Sequence, residues 1–336
     1  MKKIKFGIAG LGRMGSIHLE NLANKFNDIE LVAISDINPN IKELAEKYSV
    51  PNFYTNYQDL VNNKDIDAVV ICSPTNFHAD HIMMAAKSGK EIFCEKPMDL
   101  SLDTVSKVIK TIDEADINLF LAFNRRFDPN FKRVKEIVSN GNIGEIQIIK
   151  ITSRDPSPPP ISYIKTSGGL FLDMSIHDFD MARFISGKEI VEVDAKGVVF
   201  NDVEIEKNGD IDTAVITLTL ENNAMVVIDN SRKAAYGYDQ RIEVFGSKGM
   251  CGSDNKLHDN FYLFDKKGSQ GSLPMDFFMD RYSESYYNEM KSFIECLKNN
   301  KKPPVNGKDG LMALVIGLAA KKSMQEKRRV KISEIL

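Results

Sequence analysis

Ile4-Lys5-Phe6-Gly7-Ile8-Ala9-Gly10-Leu11-Gly12-Arg13-Met14-Gly15 decides the fold: an apolar-rich run leads directly into Gly-x-Gly-x-x-Gly, and helix-period sequence follows over residues 14–26. The glycine pattern alone is a weak signal, but between a strand and a helix it is a dinucleotide-binding fingerprint. Gly10 permits the tight turn, Gly12 lets backbone N–H groups approach a pyrophosphate, and Gly15 lets the helix lie close on the strand. The helix N-terminus, opened by Arg13 and Met14, adds partial positive charge. The second strand ends in Ser35-Asp36, where a ribose-binding carboxylate is expected about 20 residues after the glycines. Asp36 would accept hydrogen bonds from the adenosine 2′- and 3′-hydroxyls and repel a 2′-phosphate. Ile37 and Asn38 bring no arginine to offset that repulsion, so NAD is expected over NADP. Capping of the next helix is the competing role for Asp36.

Outward from this stretch, short β-branched runs alternate with helix-period segments as far as residue 123. Strands are expected at 4–9, 31–35, near Phe53, 68–72, 91–94 and 118–122. Helices fit 14–26, 39–48, 57–63, 79–88 and 102–115, with Asn38 and Ser101 at N-cap positions and Pro39 in a first turn. Nearly continuous apolar strands predict a doubly wound parallel sheet covered on both faces. After Phe127 the runs 145–153, 190–200, 213–220, 224–230 and 241–245 alternate apolar with polar, predicting a mainly antiparallel open sheet. Asn222-Asn223 marks a hairpin turn, and helices over 281–298 and 308–324 close the chain. The expected organisation is an α/β chain with a Rossmann domain over 1–123 and an α+β substrate domain over 124–336.

The 336 residues suit two hydrophobic cores, and 43% hydrophobic with 27% charged composition excludes a wholly disordered chain. Net charge −3 leaves no basic field for nucleic acid. The apolar stretch 311–320 is about half the ~20 residues of a bilayer span, so no membrane role is expected. Glycines and Arg13 interrupt any export-signal core near the N-terminus. Cys72, Cys94, Cys251 and Cys296 lack metal or redox spacing and read as free thiols of a cytoplasmic protein.

The loop Cys72-Ser73-Pro74-Thr75-Asn76-Phe77-His78 leaves the fourth strand at the ligand-binding edge, so Ser73, Thr75, Asn76 and His78 are expected beside the cofactor. His78 and His81 have i, i+3 spacing but no third soft ligand, so no metal is expected. Glu95-Lys96-Pro97 ends the fifth strand at the same edge. Lys96 there is a candidate proton handler, and Glu95 is counted with the cofactor residues. Further on, Asp173, His177 and Asp180 follow Gly168-Gly169 at i, i+4 and i+7, which on one helix makes a titratable face. A histidine oriented by a carboxylate one turn away suits removal of a hydroxyl proton near neutrality.

The glycine motif, Glu95-Lys96-Pro97 and the block from Gly168 to His177, in this order, resemble the Gfo/Idh/MocA family of NAD(P)-dependent oxidoreductases. The segments 153–160, 168–180 and 235–241 are most similar to its inositol-oxidising branch. The resemblance implies oxidation of the C2 hydroxyl of myo-inositol to 2-keto-myo-inositol, with hydride passing to NAD. It implies Lys96 on the reacting hydroxyl, His177 as general base and Asp173 orienting both. Arg125, Asp155, Asp180 and Tyr236 would hold the other hydroxyls, with Tyr238 competing with Tyr236 because alternate strand residues share a face. It also implies a homo-oligomer, commonly a tetramer. Another cyclitol or sugar dehydrogenase stays open as an activity. A non-enzymatic dinucleotide-binding regulator would need Gly10 to Gly15 and Asp36 but not Lys96 with His177.

Overall fold

The computed structural model describes residues 3–336, which divide into two compact units: 3–123 with 286–312, and 124–285 with 313–336.

The first unit carries β1 (Ile4–Ala9), α1 (Arg13–Asn24), β2 (Ile29–Ser35), α2 (Ile41–Lys47), β3 (Asn52–Tyr54), α3 (Tyr57–Asn62), β4 (Ala68–Ile71), α4 (His78–Lys87), β5 (Glu91–Glu95), α5 (Leu102–Ala115) and β6 (Leu119–Ala122). All pairings are parallel, in the order β3-β2-β1-β4-β5-β6. Every residue of β4 and β6 is buried, as strands covered on both faces must be. The order reverses beside β1, so the crevice beyond the carboxyl ends of β1 and β4 is where a dinucleotide belongs. Ser101 caps α5 by accepting from the Thr104 N–H at 3.4 Å. Asn38 does not cap α2: its side chain accepts from the Asn40 N–H at 3.0 Å, a local turn that delays the helix to Ile41 and leaves Pro39 outside it.

Sequence division alone puts 286–312 in the C-terminal domain, whereas these residues pack in the first unit. Phe293 packs on Phe6, Phe93 and Phe120 at ring distances of 5.9, 5.7 and 5.7 Å. The Leu121 N–H donates to the Val305 carbonyl at 3.3 Å. Helical periodicity shows that a late helix has an apolar face but not which sheet that face covers.

The second unit contains α6 (Pro129–Ser139), β7 (Ile146–Arg154), α7 (Ile161–Ser167), α8 (Leu170–Asp173), α9 (Ser175–Ser186), β8 (Ile190–Val198), α10 (Val203–Lys207), β9 (Thr213–Leu220), β10 (Met225–Ser231), β11 (Asp239–Gly246), β12 (Gly249–Ser253), the hairpin β13 (Tyr262–Asp265) and β14 (Gly268–Gly271), and α11 (Phe278–Arg281). Helices α12 (Ser283–Lys298) and α13 (Gly307–Glu326) each contribute to both units by sequence, and β15 (Val330–Lys331) closes the chain. The large sheet runs β12-β11-β7-β10-β9-β8-β15. It is mixed rather than purely antiparallel, because β10 pairs parallel with β7. The Asn222-Asn223 turn forms as expected, with Asn223 at φ 64° and its N–H donating to Leu220.

One sheet face buries Ile216, Leu218, Val226, Ile228, Ile242 and Val244. The other exposes Val215, Met225, Phe245 and Met250, and a row of paired positions Thr219, Met225, Ile148, Phe245, Met250 crosses it. All four cysteines are free thiols. Among the described residues no helix is long and apolar enough to cross a membrane.

Candidate active site

In the first unit the glycine turn is built by close approach. Gly10 adopts φ +83°, and a Cβ there would lie 2.5 Å from the Cys72 carbonyl and the Ser73 nitrogen. A Cβ on Gly15 would lie 1.8 Å from the Gly10 carbonyl oxygen, whereas one on Gly12 would meet nothing within 4 Å. Gly10 and Gly15 therefore serve packing, and Gly12 borders open space at the start of α1, which no side chain caps among the described residues. Arg13 is exposed and Met14 half-buried at this helix start.

Asp36 holds the glycine loop: its Oδ2 accepts from the Leu11 N–H at 2.5 Å and its Oδ1 from the Asn38 N–H at 2.8 Å. Each carboxylate oxygen keeps a second lone pair for a ribose hydroxyl. Open space at Gly12, an uncapped helix start and this carboxylate at the end of β2 are what an adenine dinucleotide requires, so the residues fit NAD.

Ser73, Thr75 and Asn76 follow β4 at the same edge, Asn76 exposed and the other two half-buried. His78 is buried, with Nδ1 2.7 Å from the Pro97 carbonyl and Nε2 2.6 Å from the Ser73 carbonyl. It ties the loop after β4 to the turn after Lys96. Burial lowers its pKa, against the opposing pull of the two carbonyls. His81 lies 3.0 Å from the Ser73 hydroxyl and stacks on Tyr57 at 3.9 Å, and burial pushes its pKa down to about 4.

Lys96 sits half-buried just past β5. Its neighbour Glu95 departs from the cofactor role expected of it. Glu95 turns into the core, where Oε1 lies 3.1 Å from His18 Nε2, and buried Glu289 approaches the same ring nitrogen at 3.9 Å. Burial, then the charge of Glu95, pushes the Glu289 carboxyl well up. Glu95 is the last residue of β5 and is buried, whereas Lys96 lies just past the strand and is half-buried. Neither His18 nor Glu289 stands out in sequence, except as polar residues on otherwise apolar helix faces.

In the second unit, Gly168 and Gly169 adopt φ +87° and +82° and lead into α8, whose last residue is Asp173. The helix then breaks at Met174 and restarts as α9, so Asp173, His177 and Asp180 do not form one polar face. Asp173 and His177 are half-buried, but Asp180 is 1% exposed. Arg126 grips Asp180 at both oxygens, at 2.8 and 2.6 Å, which removes it from the polyol-binding set. Arg125 is likewise turned inward, with Nη1 2.6 Å from Asp178 and 2.9 Å from Ser153. Asp178 also accepts from Asn230 at 2.8 Å. These pairs brace α9 against β7 and β10.

Asp173 gains two partners that spacing did not reveal. The Tyr163 hydroxyl donates to its Oδ1 at 2.9 Å, and Arg232 Nη1 lies 3.5 Å from its Oδ2. Asp155 shares this neighbourhood and is pushed up to about 7 by burial, then by Asp173, against the pull of Arg232 and Arg125. Tyr236 donates to Asp239 at 2.6 Å and accepts from Arg154 at 2.8 Å. Tyr238 is buried edge-on to Tyr282. The two tyrosines precede β11 in a turn, so the shared strand face expected for them does not exist.

The first unit thus gathers the glycine turn, Asp36, Ser73, His78 and Lys96 along one sheet edge. The second gathers Asp155, Tyr163, Asp173 and Arg232, with His177 on the first turn of the next helix.

Residues 4–123 match the family description "Oxidoreductase family, NAD-binding Rossmann fold", and residues 131–251 match the GFO/IDH/MocA C-terminal domain. The chain is 50% identical over 99% of its length to all of the myo-inositol 2-dehydrogenase of Thermotoga maritima. It is 43% identical over 98% of its length to 99% of the inositol 2-dehydrogenase of Rhizobium meliloti. The crystal structure of a myo-inositol dehydrogenase from Corynebacterium glutamicum superposes with TM-score 0.93 at 37% identity, covering 98% of each chain.

Proposed function

This chain belongs to the GFO/IDH/MocA oxidoreductase family, with its NAD-binding Rossmann fold, and we propose that it is an inositol 2-dehydrogenase. It oxidises the C2 hydroxyl of myo-inositol to 2-keto-myo-inositol. The observation that carries this reading is end-to-end similarity, at 50% identity, to an enzyme named for that substrate. The site chemistry agrees with it: Asp155, Asp173 and Tyr163 form a cluster rich in acceptors, as a ring of hydroxyls requires.

NAD, held by the Gly10 to Gly15 turn and Asp36, supplies the hydride acceptor when bound. Lys96 donates a hydrogen bond to the reacting oxygen and stabilises charge as the proton leaves. His177 takes that proton, and Asp173 orients the substrate and stabilises the imidazolium. Asp155 and Tyr236 remain candidates for the other hydroxyls, whereas Arg125 and Asp180 act as braces.

NAD reduction assayed over myo-inositol, scyllo-inositol, glucose and other aldoses tests the reading: myo-inositol should give the highest kcat/KM, and a higher value for an aldose overturns it. In the same assay NAD should exceed NADP by about tenfold or more, equivalent to ~1.4 kcal/mol of repulsion at Asp36. Asp36→Asn, which keeps an acceptor for the Leu11 N–H, should narrow that ratio.

The open sheet face is proposed to be covered by a second copy, in a homo-oligomer that the family resemblance makes a tetramer. The apolar row through Met225, Phe245 and Met250 is the patch an interface would use. Light scattering should give a multiple of the 37.8 kDa chain. Phe245→Glu should shift the protein toward smaller species, and a monomeric wild type rejects the proposal.

A further inference from the structure

Arg232 is 1% exposed, among the most deeply buried large side chains of the second unit. A guanidinium in such a place is held by opposite charge. Its Nη1 lies 3.5 Å from Asp173 Oδ2 and its Nη2 3.5 Å from Asp210 Oδ2. Asp210 in turn accepts the Leu170 N–H at 2.9 Å and crowds Gly169, where a Cβ would lie 2.6 Å from its Oδ1. One buried cation therefore stands behind both the end of α8, where Asp173 is, and its beginning, which Asp210 pins. Asp155 is tied to the turn that carries Arg232: its N–H donates to the Ser231 carbonyl at 2.8 Å and its carbonyl accepts from the Ala234 N–H at 2.7 Å.

We propose that Arg232 is a positioning residue for the dehydrogenase reaction: it fixes the Asp173 carboxylate and supplies a buried cation that Asp155, Asp173 and Asp210 share. The inference rests on the inositol dehydrogenase reading for its catalytic consequence, but its electrostatic part stands on the second unit alone.

The charges facing this site are Asp173 from α8, Asp210 ahead of β9, Asp155 after β7 and, beyond it, the Arg125–Asp178 pair. Tyr163 on α7, Tyr238 ahead of β11 and His177 on the first turn of α9 are further titratable groups of this region. Burial, and then the charge of Asp173, favour a retained proton on Asp155, against the pull of Arg232. An opposite charge within ~4–6 Å moves a carboxylate by about 1–3 pH units. Removing the cation must therefore raise the aspartate midpoints, and removing a competing carboxylate must lower them.

The test is 13C carboxyl NMR of aspartate-labelled full-length protein, with pH profiles of kcat/KM, for wild type, Arg232→Gln, Arg232→Lys and Asp210→Asn. Arg232→Gln should raise the Asp155 midpoint by about one unit or more and move the acid limb of kcat/KM the same way. Arg232→Lys should restore the limb's position with lower kcat, since a point charge replaces a fork. Asp210→Asn keeps an acceptor for Leu170 and should lower the midpoint; it decides the matter even if Arg232→Gln does not fold. Midpoints that stay put in the folded variants overturn the proposal. A wild type that oxidises no cyclitol, with the NMR shifts intact, would instead overturn the functional reading.

Discussion

With His177 as the proposed base, His177→Ala should lower kcat for NAD-linked oxidation by about 10²- to 10⁴-fold, the usual range for a general base. NAD affinity should be unchanged, because the glycine turn and Asp36 lie in the other unit. Lys96→Ala should bring a loss of similar size if, as proposed, its ammonium stabilises charge on the reacting oxygen. Stopped-flow hydride transfer and a fluorescence titration of NAD separate chemistry from binding. Turnover within threefold of wild type in either variant would remove that residue from the mechanism.

Gly15→Ala should abolish NAD binding and destabilise the protein. Its Cβ would lie 1.8 Å from the Gly10 oxygen, backbone that cannot swing aside, so α1 must move away from the turn it closes. Overpacking of this kind costs about 1–3 kcal/mol or more, read as a lowered Tm together with lost cofactor affinity. Gly12→Ala provides the contrast. Its Cβ meets nothing within 4 Å, so the apoprotein should melt as wild type does while NAD affinity falls at least tenfold. Equal melting of both variants would contradict the division of labour among the three glycines.

The doubly wound half was legible because its central strands are apolar on both faces, β4 and β6 wholly buried, and the glycine fingerprint marks the first βαβ unit. The large sheet was legible in content but not in order. Alternation in β10 looks the same whether it pairs parallel or antiparallel with β7, and only assembly of the sheet decides. Spacing singled out Asp180, and the resemblance Arg125, without revealing that Arg126 and Asp178 claim them, because buried partners are set by packing and not by distance along the chain. Arg232, at the end of β10, looks in sequence like any solvated arginine next to a lysine. Nothing local signals that three aspartates from other segments surround it.

The late return of residues 286–312 to the first unit bears on how the protein is made. Phe293 seals Phe6, Phe93 and Phe120, and Glu289 meets His18 and Glu95, only after most of the chain has left the ribosome. At ~5–20 residues per second, the nascent nucleotide-binding sheet waits on the order of ten seconds or more with its aromatic face uncovered. A premature stop just short of Tyr286 would release a fragment lacking that cover, a substrate for chaperones and proteases rather than a working half-enzyme.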